Sequence, residues 1–466
     1  MSSSETLELV LLSHTNVGKT TLARTLLRRD VGEVLDRAHV TLEACEYPLL
    51  EGAAGERLVL WDTPGFGDSA RLERELQALE DPLAWEPPQG DEVRRGALAA
   101  LRCVADHADV VLYLVSAAES PLDAGYVLPE MRLLERLGRP VLVLLNQTGA
   151  PSEVGAAADL ERWRAHLERF RCVRAIRSLD AYSRCWVEEG LLIEELGRLL
   201  DGERRSLSER LLEAWRRERR QTLHTAMETI ATELLRAARD EEAIFEGAWG
   251  NDRRQAMEAL ARRMEEGVAA AADRLIQLQG LDGRGAVELR TALSDFATSE
   301  ERLAPRRWGV IGGTATGLVT GLGADLASGG LSFGAGMVLG ALTGGLGAMG
   351  VARAYNTLRG PGEPRVAWTP AVLTRTAEHL LLRYLAVAHF GRGRGAWRER
   401  EAPAFWRRAV ADATASRRVY LEGAWRSARG SASEVAGERD GLTALLSGVA
   451  REVLSGFYPD AGHLLG

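Results

Sequence analysis

Residues 13–20 read SHTNVGKT and stand between an apolar run, LELVLL (7–12), and a helix-forming stretch, TLARTLLRR. A strand that ends in a Gly-Lys-Thr loop and passes into a helix is the build of a phosphate cradle, the P-loop. Gly18 lets the backbone come close to phosphate. Lys19 would set its ammonium between the β- and γ-phosphates, and Thr20 would offer its hydroxyl to Mg²⁺. Backbone N–H groups at the start of a helix complete such a cradle. The candidate nucleotide contacts are therefore His14, Thr15, Asn16, Val17, Gly18, Lys19, Thr20 and Thr21. Ser13 departs from the pattern, which begins with Gly.

A second motif, WDTPGFGD (61–68), closes the apolar run ERLVLW. Asp62 then emerges at the C-terminal end of a strand, where a carboxylate can hold Mg²⁺ through its water shell. The backbone N–H of Gly65 can contact a γ-phosphate from the same loop. Each motif alone has a bland alternative, a chance helix N-terminus or a Pro-Gly turn. Two motifs in the right order, each at a strand end, leave a nucleotide site as the reading.

Further runs, DVVLYLV (109–115), PVLVLLN (140–146) and a weaker CVRAIRS (172–178), are spaced by amphipathic segments. Such a pattern predicts an α/β fold, a mostly parallel sheet with helices on both faces. VTLEACEYPLL (40–50) alternates in part and fits an antiparallel edge strand, and the prolines of 80–92 mark a loop. Beyond residue 201 the composition shifts to Ala, Leu, Glu and Arg, the strong helix formers. Leu212, Trp215, Leu223, Met227, Ile230 and Leu234 keep a helical stripe that is interrupted only at Arg219. The charge run RRERRQ (216–221) reads as a solvated helix face. The expected domains are 1–201, the P-loop domain; 202–307, helical; 308–351, a Gly-rich hairpin; and 352–466, helical again.

A chain of 466 residues with a net charge of −8 is not built to coat nucleic acid, and no nucleic-acid partner is expected. Four scattered cysteines form no metal-ligand pattern, and no basic leader opens the sequence; a cytoplasmic setting follows as the expectation.

The paired motifs resemble the Era/TrmE branch of the translation-factor-class GTPases, whose P-loops commonly read GxPNVGKS and whose third motif reads DTPG. The resemblance covers about residues 7–180. The whole chain is similar to bacterial GTPases that end in a long helical domain of unknown function. It implies GTP as substrate with Mg²⁺ as cofactor, and Thr41 as a third Mg²⁺ ligand in the triphosphate state. Lys19, Thr41 and Gly65 are then the catalytic candidates. Phe66 falls where Ras-like proteins keep the water-orienting Gln, and Thr15 crowds the approach of an arginine finger. Asn16 matches the residue that ligates K⁺ in TrmE-like proteins, where the cation supplies charge stabilisation; an ordinary turn residue is the equal alternative.

The base site departs from the family. Asn146 stands at the head of the guanine motif NKxD, but Gln147 replaces its Lys and Gly149 its Asp. The carboxylate that pairs with guanine is therefore missing, and ATP remains an alternative to GTP. Asp180, in RSLDA, lies where a guanine-contacting loop follows the next strand; a capping role competes.

Residues 309–350 hold 15 Gly, with ladders at Gly309, Gly313, Gly317 and Gly321 and at Gly336, Gly340 and Gly344. Small-residue ladders let two helices approach closely. Asp325 divides the block, and arginines flank it on both sides. These features fit a hairpin entering the inner membrane from the cytoplasmic face, with a soluble, tightly packed hairpin as the alternative. The expected partners are GTP and GDP, membrane lipid, and a second copy through the G domain or the helical region. A soluble ribosome-assembly GTPase and a nucleotide-binding adaptor with little turnover are the rival functions.

Overall fold

A computed structural model of the chain describes residues 5–15, 17–28, 43–147, 153–179, 181, 185–244, 251–280, 355–358, 364–390, 404–430 and 436–466. Asn16, Thr41, Gly149, Asp180 and the Gly-rich block 308–351 lie outside the described residues. The chain divides into two compact units. The first is Met1–Gln221 with Ala388–Gly395 and Ala461–Gly466; the second is Thr222–Val387 with Ala396–Asp460.

The first unit is built on six strands: β1 (Thr6–Ser13), β2 (Cys45–Glu51), β3 (Arg57–Asp62), β4 (Val110–Ser116), β5 (Val141–Asn146) and β6 (Val173–Ser178). They lie in the order β2-β3-β1-β4-β5-β6. All pairs are parallel except β2 with β3, which is antiparallel. β4 and β5 are buried along their whole length, because helices cover both faces of a parallel sheet. That requirement explains runs as apolar as VVLYLV. β2 sits at the edge and is mostly exposed, and its register shifts between Pro48 and Leu50. Proline lacks the N–H that a central strand would need, so an edge tolerates it.

The parallel strands all end on one side, where the loops carry the motifs. β1 passes into α1 (Lys19–Leu27) through Gly18, which caps the helix in the left-handed conformation, φ 96°. β3 passes through DTPG into α2 (Ser69–Gln77), capped by Asp68, whose side chain accepts from the N–H of Arg71. A loop with a single helical turn at Pro82–Ala84 leads to α3 (Glu92–His107). α4 (Val127–Leu137), α5 (Glu153–Leu167) and α6 (Trp186–Leu199) complete the layers. The α/β architecture and its antiparallel edge strand are those the hydrophobic pattern predicts.

α7 runs from Gly202 to Arg239, and the boundary between the units falls inside it. The stripe from Leu212 to Leu234 is buried. Arg219 corrects the reading of RRERRQ as a solvated face: it too is buried, with Nε and Nη1 lacking hydrogen-bond partners among the described residues.

The second unit is helical, with α8 (Asn251–Leu278), α9 (Pro370–Ala388), α10 (Ala404–Ala415), α11 (Arg418–Gly430) and α12 (Ala436–Phe457). Trp425 is fully buried there and donates to Thr374 Oγ1 at 3.3 Å. An all-α region was expected; the unit adds a small antiparallel sheet, β7 (Glu241–Ala243), β9 (Arg365–Trp368) and β8 (Tyr355–Leu358) in that order. Strands of three or four residues are too short for alternation to register in the sequence. α13 (Gly462–Leu465) belongs to the first unit. Among the described residues, no helix is long and apolar enough to cross a membrane.

Candidate phosphate and magnesium site

Lys19, Thr20, Asp62 and Gly65 converge where β1 and β3 end. Adjacent parallel strands with Leu11 opposite Asp62 make this inevitable once the register is set. Thr20 Oγ1 donates to Asp62 Oδ2 at 3.3 Å. A Cβ added to Gly65 would lie 3.3 Å from Lys19 Nζ and 3.3 Å from Thr15 Cα, so the DTPG loop passes directly over the lysine. Lys19 Nζ also reaches Ser13 Oγ at 3.4 Å. The serine at the first-glycine position thus turns a hydroxyl, not a clash, toward the ammonium.

Burial dominates the electrostatics. It lowers the pKa of Lys19, against the pull of Asp62 and then Glu130. It raises the pKa of Asp62, opposed by Lys19 and by the bond from Thr20. Each group is pushed toward its neutral form, which is costly unless a counter-charge joins it. Asp62 Oδ1 is buried and has no hydrogen-bond partner among the described residues. A free carboxylate oxygen beside a threonine hydroxyl is a donor set of hard oxygens, and it fits Mg²⁺, which typically takes one or two protein ligands and fills the rest with water and phosphate.

The other predicted residues occupy distinct places. Val17 and Thr21 are buried. A Cβ on Gly18 would come within 2.8 Å of Asn146 Nδ2. Thr15 donates from N and from Oγ1 to the carbonyl of Phe66, at 3.2 and 2.7 Å, and Phe66 N donates back to Ser13 O at 3.1 Å. Phe66 itself is fully buried in the core. At the base end, Asn146 is buried and both ends of its amide are engaged. Nδ2 donates to Val17 O at 3.0 Å, and Oδ1 accepts from Ala181 N at 2.8 Å. Gln147 adopts φ 59° and accepts from Ser116 Oγ at 2.9 Å.

Sequence reasoning missed one group. His14 stacks its ring on Tyr126 with centroids 4.1 Å apart and meets Glu130 Oε1 at 2.8 Å. Glu130 is fully buried and also accepts from Ser69 Oγ and Tyr113 OH. The one available signal is a carboxylate inside the apolar stretch VLPEMRLL.

Sheet order, P-loop and the DTPG loop over Lys19 define a P-loop GTPase domain, and residues 8–147 match the family model described as 50S ribosome-binding GTPase. Residues 164–442, more than half of the chain, match a domain of unknown function, DUF3482, and the chain belongs to that family. No curated protein matches it by sequence. Solved structures similar to it include Era of Aquifex aeolicus bound to GDP·AlF4⁻, at 21% identity over 42% of this chain and 58% of that one, TM-score 0.32. Era in complex with MgGDPNP and a segment of 16S ribosomal RNA gives 20% identity, the same coverages and a TM-score of 0.33. A probable GTP-binding protein engB gives 16% identity over 37% of this chain and 88% of that one, TM-score 0.26. The chain spans 58% of the length of the two Era chains.

Proposed function

We propose that the chain binds and hydrolyses GTP as a switch whose nucleotide state is passed to its helical region. The observation that carries this reading is the convergence of Lys19, Thr20, Asp62 and Gly65 at the ends of β1 and β3. In it, Lys19 sits between the β- and γ-phosphates, and the N–H of Gly65 donates to a γ-phosphate oxygen. Thr20 and Asp62 hold Mg²⁺ from the protein side, with Thr41 added in the triphosphate state. Bound there, Mg²⁺ would neutralise the charge that develops on the phosphates. Phe66 is buried and cannot orient the attacking water with its side chain, and Thr15 crowds the approach of an arginine finger, so the stabilising charge comes from another cation. We assign that role to a K⁺ ion at Asn16, on the strength of the P-loop pattern. The acidic net charge gives the ribosome association named for the matched family model no electrostatic support.

The test is turnover of GTP by the full chain in K⁺ and in Na⁺, with Mg²⁺ present and then chelated. Turnover should require Mg²⁺, run at least about tenfold faster in K⁺, and lose that preference in Asn16→Ala. Equal rates in the two salts would remove potassium from the mechanism; no turnover in either would reduce the protein to a nucleotide-binding adaptor.

A further inference from the structure

The Glu130 cluster is used by none of the roles above, yet it is expensive to build. A carboxylate shut away from water costs several kcal/mol unless donors satisfy it, and an apolar residue would pack α4 without that cost. Glu130 takes three donors from three separate elements. These are His14 of the P-loop, Ser69 in the first turn of α2, and Tyr113 of β4. A carboxylate only accepts, so the shared proton with His14 belongs on Nδ1. The imidazole is held flat against Tyr126, whose hydroxyl is itself bound to Glu119 at 2.7 Å.

What this cluster fastens is the span from Asp62 to Ser69. Thr63 Oγ1 donates to Leu11 O at 2.7 Å, and Pro64 packs on Gly96, where an added Cβ would come within 3.1 Å of it. Phe66 is zipped to Ser13 and Thr15 by backbone bonds, and Ser69 is tied down by Glu130. Gly65 is the middle of this span, lying over Lys19. One buried carboxylate thus grips both the P-loop and the far end of the loop that crosses it.

We propose that Glu130 is a positioning residue for the γ-phosphate: through His14 and Ser69 it fixes the height of the Gly65 N–H above Lys19. The inference rests on the reading of Gly65 as the γ-phosphate contact. Its consequence is selective. A diphosphate does not reach Gly65, so loosening the span weakens triphosphate binding and leaves diphosphate binding in place. A carboxylate that merely stabilised the fold would affect both alike.

The experiment measures affinities of the full chain with Mg²⁺ for GDP and for a non-hydrolysable GTP analogue, alongside thermal midpoints. Ser69→Ala should lower the triphosphate-to-diphosphate affinity ratio about tenfold, with GDP affinity held within about twofold. Ser69→Thr, which restores the hydroxyl, should keep the parent ratio, and Glu130→Gln should lower it at least as far as Ser69→Ala. Ser69→Ala leaves Glu130 two of its donors and carries the test if Glu130→Gln does not fold. Gly65→Ala is the control. If it lowers the ratio while Ser69→Ala and Glu130→Gln do not, the Glu130 role is wrong and the Gly65 reading stands. If Gly65→Ala leaves the ratio unchanged, both fall together. Parallel losses for both nucleotides that track a lower thermal midpoint would also overturn the proposal, since they describe a structural brace.

Discussion

The strand ends assigned to the phosphates and those assigned to the base in the proposed reading lie along one side of one sheet, β3 and β1 toward one end, β5 and β6 toward the other. The two halves are made differently. On the phosphate side the working groups are a cation, a hydroxyl, a carboxylate and backbone N–H groups, and much of the recognition depends on chain path more than on side-chain identity. Ser13 and Thr15 can therefore depart from the usual pattern: Ser13 Oγ meets Lys19, and Thr15 bonds to the Phe66 carbonyl. On the proposed base side, the family pattern rests discrimination on one carboxylate at one position, and Gly149 stands there in this sequence. Backbone recognition tolerates substitution, whereas recognition by a single buried pair does not.

The comparison breaks most sharply at Lys19. Lys19→Ala removes the cation under the DTPG loop and should cost at least about a hundredfold in affinity for any nucleoside triphosphate, whatever its base. Titration with fluorescent GTP and ATP analogues reads it directly. Binding as tight as in the parent would mean that the phosphates do not lie over the P-loop. The cost should be the same for guanine and adenine, because the lysine belongs to the half of the site that does not read the base.

Asn146 sharpens the comparison, because it stands at the head of the base motif yet spends its amide inside the protein. It braces Val17 of the P-loop against Ala181, the last residue of RSLDA, which holds the candidate base residue Asp180. Asn146→Ala leaves one buried acceptor and one buried donor unpaired, and should lower stability by about 1–3 kcal/mol. Nucleotide affinity should fall by about tenfold for GTP and ATP alike, as expected of a brace that has shifted by a fraction of an ångström. Denaturant melts and paired titrations would check both. A loss confined to GTP would show instead that this side chain takes part in reading guanine.

Much of the sheet was legible because burial on both faces forces a simple pattern. DVVLYLV and PVLVLLN admit few other structures once helical segments separate them, and β4 and β5 appear within a residue or two of those runs. The phosphate motifs were legible for a related reason: a lysine and a carboxylate at the ends of neighbouring strands must meet. Glu130 was not legible, since its partners His14, Ser69 and Tyr113 are 116, 61 and 17 residues away in sequence and only the fold joins them. Arg219 misled for the opposite reason: its neighbours in RRERRQ are charged, and a local run gave no sign that this one position turns inward. The sheet of the second unit escaped notice because β7 and β9 lie more than a hundred residues apart and are each too short to show a period.

The smallest effect concerns the base itself. Where a site hydrogen-bonds its substrate through a dedicated group, it rejects an analogue lacking that pairing by 10⁴–10⁵. Here the position of the guanine-pairing carboxylate is Gly149, and the neighbouring Gln147 is committed to Ser116 in a left-handed backbone conformation. GTP should therefore be preferred over ATP by only about tenfold, the range that shape and partial hydrogen bonding provide. Competition of unlabelled ATP against a bound fluorescent GTP analogue gives the ratio. Gly149→Asp would restore the family's carboxylate and should widen the preference if the base lies against this loop. A parent preference beyond about a thousandfold would break the contrast between the two halves. It would direct attention to Asp180, the other acidic residue that the sequence places near the base; Asp180→Ala would then have to collapse the preference while leaving affinity for the phosphates intact. A ratio near tenfold that Asp180→Ala does not change would mean that the phosphate half holds the nucleotide almost unaided.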